Sequence, residues 1–321
     1  MTLTDNAART DARAETPGPA PAPAKAPRPK PVPERAVLGR FPRAVRILGY
    51  AFALAIGLLY VLPFVLQIAN SFKTDADASA NPLALWPTTP STAAYQRLFG
   101  IADAGESVPF LRWLTNSFVV TTLVTAGRVL FDSMAGYALA RLRFRGRGML
   151  NVFVLAVMAV PGIVLLIPKF LVLNSFYMFD SYSGMVIPLL VDAAGIFIMK
   201  QFFEQLPREV EEAARIDGAG TFRTFWSVVL PMARPALITL TILSFQGSWN
   251  EFTHFLVATQ SEQYETLTTG LARFVAGGLG GGNQYPLKLA AAALATIPVA
   301  ILFFVFQRHF VRGANAGSVK E

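Results

Sequence analysis

The stretch ILGYAFALAIGLLYVLPFVLQIAN, residues 47–70, carries no charged side chain. As a helix rising ~1.5 Å per residue it is ~36 Å long, enough to cross a ~30 Å hydrocarbon core with some tilt. Pro63 is expected to kink it near its far end. Five further apolar runs follow at residues 113–139, 150–173, 182–199, 235–258 and 286–306. The second of these is expected to bend near Pro161 and Pro168, and the third contains Pro188. Gln246, Asn250 and Glu251 interrupt the run at 235–258. The chain therefore reads as an all-α, polytopic membrane protein with about six spans.

Composition agrees. Hydrophobic residues make up 53% of the 321 and charged residues only 15%, against about a quarter in soluble domains. Cysteine is absent, which rules out disulfides and thiolate metal sites. The two histidines, His254 and His309, have no ligand-like neighbours in sequence, so neither a metal nor another cofactor is expected. The formal charge of +8 does not indicate nucleic-acid binding. The basic residues sit where apolar runs end, and no nucleic-acid motif accompanies them.

Those basic residues predict orientation. Arg40, Arg43 and Arg46 precede the first run, and Arg141, Arg143, Arg145 and Arg147 separate the second and third. Lys200, Arg208, Arg215, Arg223 and Arg234 separate the fourth and fifth, and Arg308, Arg312 and Lys320 follow the sixth. By the positive-inside rule these segments face the cytosol, as do both termini. Residues 73–111, polar and turn-rich, are then an extracytoplasmic loop. Residues 1–40 form a Pro/Ala-rich tail that should not fold. Its basic residues either touch anionic lipid headgroups or are simply solvated. The expected divisions are that tail, the first span with its loop (41–111), a transmembrane core (112–308) and a C-terminal cytosolic tail (309–321).

Outward from the spans, residues 204–235 read EQLPREVEEAARIDGAGTFRTFWSVVLPMARP. Pro207 suits a helix first turn, with Glu209, Glu211 and Glu212 near the positive end of the dipole. Val210, Ala213, Ala214 and Asp217 recur at helical spacing and form a face of mostly small residues. Asp217-Gly218 should break the helix, because glycine takes the left-handed cap conformation cheaply. A second helix is expected to start at a Thr221 cap, with Phe222, Phe225, Trp226 and Val229 along one side. Pro231 and Pro235 should end it and launch the fifth span.

Glu212-Ala213-Ala214, Asp217-Gly218-Ala219, Leu230-Pro231 and Pro235 resemble the EAA loop of binding-protein-dependent ABC permeases. Asn116-Ser117, the run from Ala135 to Arg141, and the tail from Gln307 to Lys320 resemble the carbohydrate branch, specifically the maltose-type second permease subunit. The resemblance covers roughly residues 45–321. It implies the type I importer permease fold in a prokaryotic cytoplasmic membrane. It also implies two ATPase subunits, a second homologous permease and an extracytoplasmic solute-binding protein as partners. Glu212 and Gly218 would make the ATPase contact, shaped by Ala213, Ala214, Asp217 and Ala219. The chain has no Walker-type phosphate loop, so ATP hydrolysis is expected on the partner and not on this chain.

Polar residues at membrane depth complete the candidate set. Arg128 and Asp132, at i and i+4, are expected to pair within the second span. Asp192, Gln246, Asn250 and Glu251 fit either of two roles: lining a hydrophilic path, or holding helices and the paired permease together. Met149, Met158, Met178 and Met185 read as apolar filler. The glycine-rich run at 276–282 is expected to be a flexible loop that meets a binding protein. A self-contained secondary transporter would need repeated halves, and a membrane enzyme a clustered acid, base or nucleophile; neither pattern occurs. An ABC permease for a polyamine, phosphate ester or oxyanion remains open at this level.

Overall fold

The computed structural model describes residues 42–101, 108–277 and 284–317, the last ten of these by backbone alone. The Pro/Ala-rich tail and most of the 276–282 glycine run lie outside the described residues, as do the last four residues. Among the described residues all regular structure is helical. The first long helix is α1 (Arg43–Ser71), followed by two short loop helices, α2 (Asp75–Ala80) and α3 (Ala93–Leu98). Then come α4 (Phe110–Arg141), α5 (Arg147–Met158), α6 (Leu166–Ser175), α7 (Tyr182–Val186) and α8 (Ala193–Gln205). The remainder is α9 (Glu209–Ile216), α10 (Thr221–Met232), α11 (Arg234–Trp249), α12 (Thr253–Ala258), α13 (Leu267–Val275) and α14 (Tyr285–Gly317).

Among the described residues four segments are long and apolar enough to cross a membrane: Arg43–Ser71, Phe110–Arg141, Tyr182–Gln205 and Tyr285–Gln307. Two bent pairs raise the count to six if each is one span. Arg147–Met158 and Gly162–Ser175 meet at 100°, at the break expected beside Pro161. Pro168 falls in the first turn of α6, where a missing N–H costs nothing, and makes no second bend. The other pair differs from expectation. Thr221–Met232 and Arg234–Trp249 meet at 82°, so the fifth apolar segment begins within the preceding loop helix. Its other end stops at Trp249, short of the expected 258. Pro231 lies inside α10 and only Pro235 opens α11.

The chain divides into two units, residues 1–59 and 60–321. The described part of the first is the apolar beginning of α1. In the second, α4 is the axis. Trp113, Asn116, Ser117, Val120, Thr121, Val124, Thr125, Asp132, Ser133, Gly136, Tyr137 and Ala140 are all buried. They recur every three to four residues, so one stripe of a 3.6-residue helix faces the protein. Many are small or hydroxylated, which lets backbones approach and exchange hydrogen bonds where water is scarce.

Three apolar clusters lie along this axis. One gathers Trp113, Trp249, Leu267, Phe274 and Leu287. A second gathers Val120, Val124, Leu173, Met185 and Phe255. The third joins Tyr137, Met199, Phe203, Phe225, Val229 and Leu240, and so fastens α10 to the end of α4.

Two polar anchors hold the non-spanning segments. Lys73 is fully buried, and its ammonium donates to Asn70 Oδ1 (2.9 Å), Asn81 O (2.8 Å) and Ala84 O (2.7 Å). All three of its donors are thereby used. Glu265, also buried, accepts from Trp113 Nε1 at 2.8 Å and faces Arg273 at 2.7 Å. Burial pushes its carboxyl above the ordinary value, against the opposing pull of Arg273 and Trp113. Asn116, three residues after Trp113 on the same buried stripe, donates to the carbonyls of Gln263 and Glu265 at 2.8 Å each.

Candidate functional site

Residues 204–235 form the two expected helices, and both helices have two distinct sides. Glu211 and Ala214 of α9 are buried. Glu211 faces Arg141 at 3.2 Å and accepts a hydrogen bond from the Tyr137 hydroxyl at 3.1 Å. Arg141 in turn donates to Leu206 O at 2.5 Å. Glu212, Ala213, Asp217 and Gly218 are exposed, Ala219 is half-buried, and Ile216 is 87% exposed. Of the six residues assigned to the partner contact, Ala214 is therefore turned inward, because the helix needs a small residue where it meets the bundle.

The end of α9 is a Schellman cap. Ala219 N donates to Ala214 O (2.9 Å) and Gly218 N to Arg215 O (3.0 Å), with Gly218 at φ 80°. That left-handed backbone favours glycine over any residue with a Cβ. The chain then turns back into α10 through Gly220, which occupies the cap position expected of Thr221; no side chain caps the helix there. A π-helical stretch, Phe225–Val229, follows. The expected single aromatic side separates into two rows. Phe225 and Val229 enter the core, whereas Phe222 (65%) and Trp226 (41%) stay exposed with rings 6.1 Å apart. Next to this loop is a polar cavity of about 350 Å³ lined by Arg141, Arg143, Arg208, Glu211, Glu212 and Arg215.

The intramembrane polar residues gather at two helix breaks. The fourth span is interrupted between α7 and α8 beyond Pro188, which frees backbone groups in a region without water. Arg128 Nε donates to Leu189 O at 2.8 Å. Asp132 Oδ1 accepts from Asp192 N at 3.0 Å. The direct Arg128–Asp132 pair expected from their spacing is not formed; each side chain instead satisfies backbone left open by the break. Asp192 caps α8, its carboxylate accepting from Gly195 N at 3.1 Å. A Cβ at Gly195 would stand 2.1 Å from Asp132 Oδ2, so only glycine permits this approach.

The second break separates α11 from α12. Gln246 and Asn250 are exposed one helical turn apart, and Asn250 Nδ2 donates to Gln246 O at 3.0 Å. Glu251 is committed to structure. Its carboxylate accepts from His254 N at 2.8 Å, and its carbonyl accepts from Thr268 Oγ1 at 2.7 Å. The structure thus brings Arg128, Asp132 and Asp192 together at one break and Gln246, Asn250 and Glu251 at the other.

Glu211 and Glu265 were not singled out from the sequence as structural anchors. Tyr137 and Arg141 stood in a recognisable run, but nothing local to either end reveals that they meet a glutamate 70 residues away.

A helical membrane bundle, broken spans and a two-sided loop held to the bundle by a buried ion pair are features of a transport permease. The chain belongs to the family described as binding-protein-dependent transport system inner membrane component, whose model matches residues 132–315. It is 32% identical over 271 residues to the arabinooligosaccharides transport system permease protein AraQ of Bacillus subtilis (strain 168), covering 84% of this chain and 94% of that protein. It is 30% identical over 277 residues to the trehalose/maltose transport system permease protein MalG of Thermococcus litoralis, covering 86% and 97%. A crystal structure of a bacterial ABC transporter involved in import of the acidic polysaccharide alginate contains a chain that superposes with a TM-score of 0.72. That chain is 26% identical, with 84% of this chain and 99% of that one covered.

Proposed function

We propose that this chain forms half of the translocation pathway of an ATP-driven importer for a sugar or oligosaccharide. Both termini and the 204–235 loop face the cytosol, the loop docks on an ATPase subunit, and a second permease and an extracytoplasmic binding protein complete the complex. The observation that carries this reading is the division of α9 and α10 into an anchored side and a free side. Glu211, Phe225 and Val229 tie the loop to the spans. Glu212, Ile216, Gly218 and Phe222 present an exposed, partly apolar surface around a glycine turn.

Such a loop transmits force because it is stiff toward the bundle and open toward a partner. Moving a pore from almost wholly inward-facing to almost wholly outward-facing takes about 5.5 kcal/mol of differential binding. Closure of the ATPase dimer supplies it only if the loop does not yield. The exposed Gln246 and Asn250 are assigned to the path, where amide groups exchange hydrogen bonds with sugar hydroxyls. The names of the relatives support a carbohydrate as solute, and the choice of sugar is assigned to the binding protein and the paired permease.

The test is affinity purification from native membranes of the unaltered chain and of a Glu212→Ala/Gly218→Pro variant, with partners identified by mass spectrometry and ATPase activity measured. The unaltered chain should bring down an ATPase, a second permease and a sugar-binding protein, and the variant should lose the ATPase alone. An unaltered chain recovered by itself, stable and without ATPase, would overturn the assignment.

A further inference from the structure

A guanidinium near the middle of a membrane-crossing helix is strongly disfavoured unless something uses its charge. Arg128 of α4 is such a group, and this chain uses only part of it. Nε donates to Leu189 O, while the four Nη donors meet no acceptor among the described residues. The side chain is half-buried. Its open end lies over α11, since a Cβ built on Gly247 would stand 3.8 Å from Nη1. Gly247 adjoins the exposed Gln246 and lies within one turn of the exposed Asn250.

The nearby carboxylates make no ion pair with this end. Asp132 and Asp192 each spend an oxygen on an amide at the N-terminus of α8, where the helix dipole compensates negative charge. Among the described residues no carboxylate forms an ion pair with Arg128. One oxygen of each acidic side chain is thus engaged at the start of α8, while Nη1 of Arg128 lies beside Gly247 of α11. A guanidinium fork matches two oxygens of a carboxylate, sulfonate or phosphate.

We infer that Arg128 recognises an anionic group on the transported carbohydrate, with Gln246 and Asn250 meeting its hydroxyls. The inference rests on the importer reading and narrows it to an acidic sugar. Arg128 Nε holds the broken fourth span, and its Nη groups bind the solute as it passes.

The test uses the complete transporter with its own partners in membrane vesicles, and follows ATP-dependent uptake of a labelled oligouronate, a sulfonated glycoside, a sugar phosphate and a neutral maltooligosaccharide. At least one anionic probe should be taken up, and Arg128→Gln should lower that uptake about 10- to 100-fold, the range for a lost hydrogen bond to a charged group. Gly247→Asp places a tethered carboxylate beside Nη1 without touching the Nε contact and should block the same probe. Gly247→Asn, of similar size and uncharged, should not. The Gly247 pair keeps the test informative if Arg128→Gln fails to fold. Uptake of the neutral probe alone, or equal effects of Gly247→Asp and Gly247→Asn, would overturn the inference while leaving a sugar importer in place. Rescue of Arg128→Glu by a charge reversal in the paired permease would overturn it too, by assigning the arginine to the subunit interface. Uptake of none of the four probes would instead defeat the carbohydrate reading itself.

Discussion

Two buried glutamates hold α4, one near each end, and they do so differently. Glu211 reaches in from α9 to Tyr137 and Arg141 at the C-terminal end. Glu265 reaches in just before α13 to Trp113 near the N-terminal end, with Arg273 outside it. The contrast lies in the cations. The Arg141 side chain is only 4% exposed, whereas that of Arg273 is 40% exposed. Remove Glu211 and a guanidinium almost shielded from solvent loses its ion pair; remove Glu265 and Arg273 is already partly solvated. The 204–235 loop is therefore joined to the bundle by a contact shielded from solvent on both sides, which suits the coupling role proposed for it. The 259–275 segment is held by many smaller bonds and can adjust.

The largest expected effect is that of Glu211→Ala. Stranding one member of a buried ion pair costs about 3–5 kcal/mol. It should appear as a lower unfolding midpoint in detergent and as faster protease cleavage between residues 204 and 235. A loss no greater than that from Glu265→Ala would erase the contrast.

Glu265→Gln should cost about 1–2 kcal/mol, since the amide oxygen still accepts from Trp113 and only the partly exposed ion pair is lost. This variant also tests the pH dependence. Glu265 holds its proton more tightly folded than unfolded. Its folded pKa is raised, so acidification from the folded pKa toward the ordinary glutamate value adds stability, and rising pH through the folded pKa removes it. Glu265→Gln should flatten that part of a stability–pH curve, and an unchanged slope would show that another group carries it.

Gly218→Ala should cost about 1–2 kcal/mol locally, through left-handed backbone strain alone, because a Cβ there meets nothing within 4 Å. The effect belongs in solute-stimulated ATPase activity more than in the global unfolding midpoint. Gly220→Ala, at φ −68° and equally open, is the matched control and should be near neutral. Equal losses at both positions would show that crowding against the partner, not the cap, is responsible.

The smallest effect is expected at Asp180, whose carboxylate accepts from the backbone of Gln260 and Ser261 at 2.8 Å and from the Ser261 hydroxyl. Burial pushes its carboxyl up, but these hydrogen bonds together outweigh burial and hold it below the ordinary 3.8. Its contribution is present above that value and fades as pH falls through the lower folded pKa. Asp180→Asn should cost under about 1 kcal/mol, since the site is largely solvated. Acid titration of the two proteins in parallel checks it.

How much of this was legible beforehand follows from the range of the interactions involved. The spans at 47–70, 113–139 and 286–306 were readable because lipid imposes a local condition, a long and predominantly apolar run. The Gly218 cap was readable because backbone geometry is decided within five residues. The division of Phe222 and Trp226 from Phe225 and Val229 was not, because helical spacing shows which residues align but not which side meets the bundle. The π-helical stretch and the start of the bent pair at Thr221 depend on how α10 packs against Tyr137 and Phe203. Arg128 and Asp132 had the right spacing for a pair, yet the break in the fourth span offered each a backbone partner that their own helix could not.

Sequence alone was enough for the membrane-spanning class, the rough placement of the apolar segments, the two-helix loop and its glycine turn. These depend on hydrophobicity, proline, glycine and short-range periodicity, which act within a few turns of chain. Tertiary packing was needed to show that Glu211 and not Glu212 is the buried anchor, that Asp192 is a helix cap, and that Arg128 sets Nη1 beside Gly247. Those outcomes turn on which distant groups compete for the same charge or backbone amide. That competition is settled only when segments 60 to 152 residues apart in the chain are packed together.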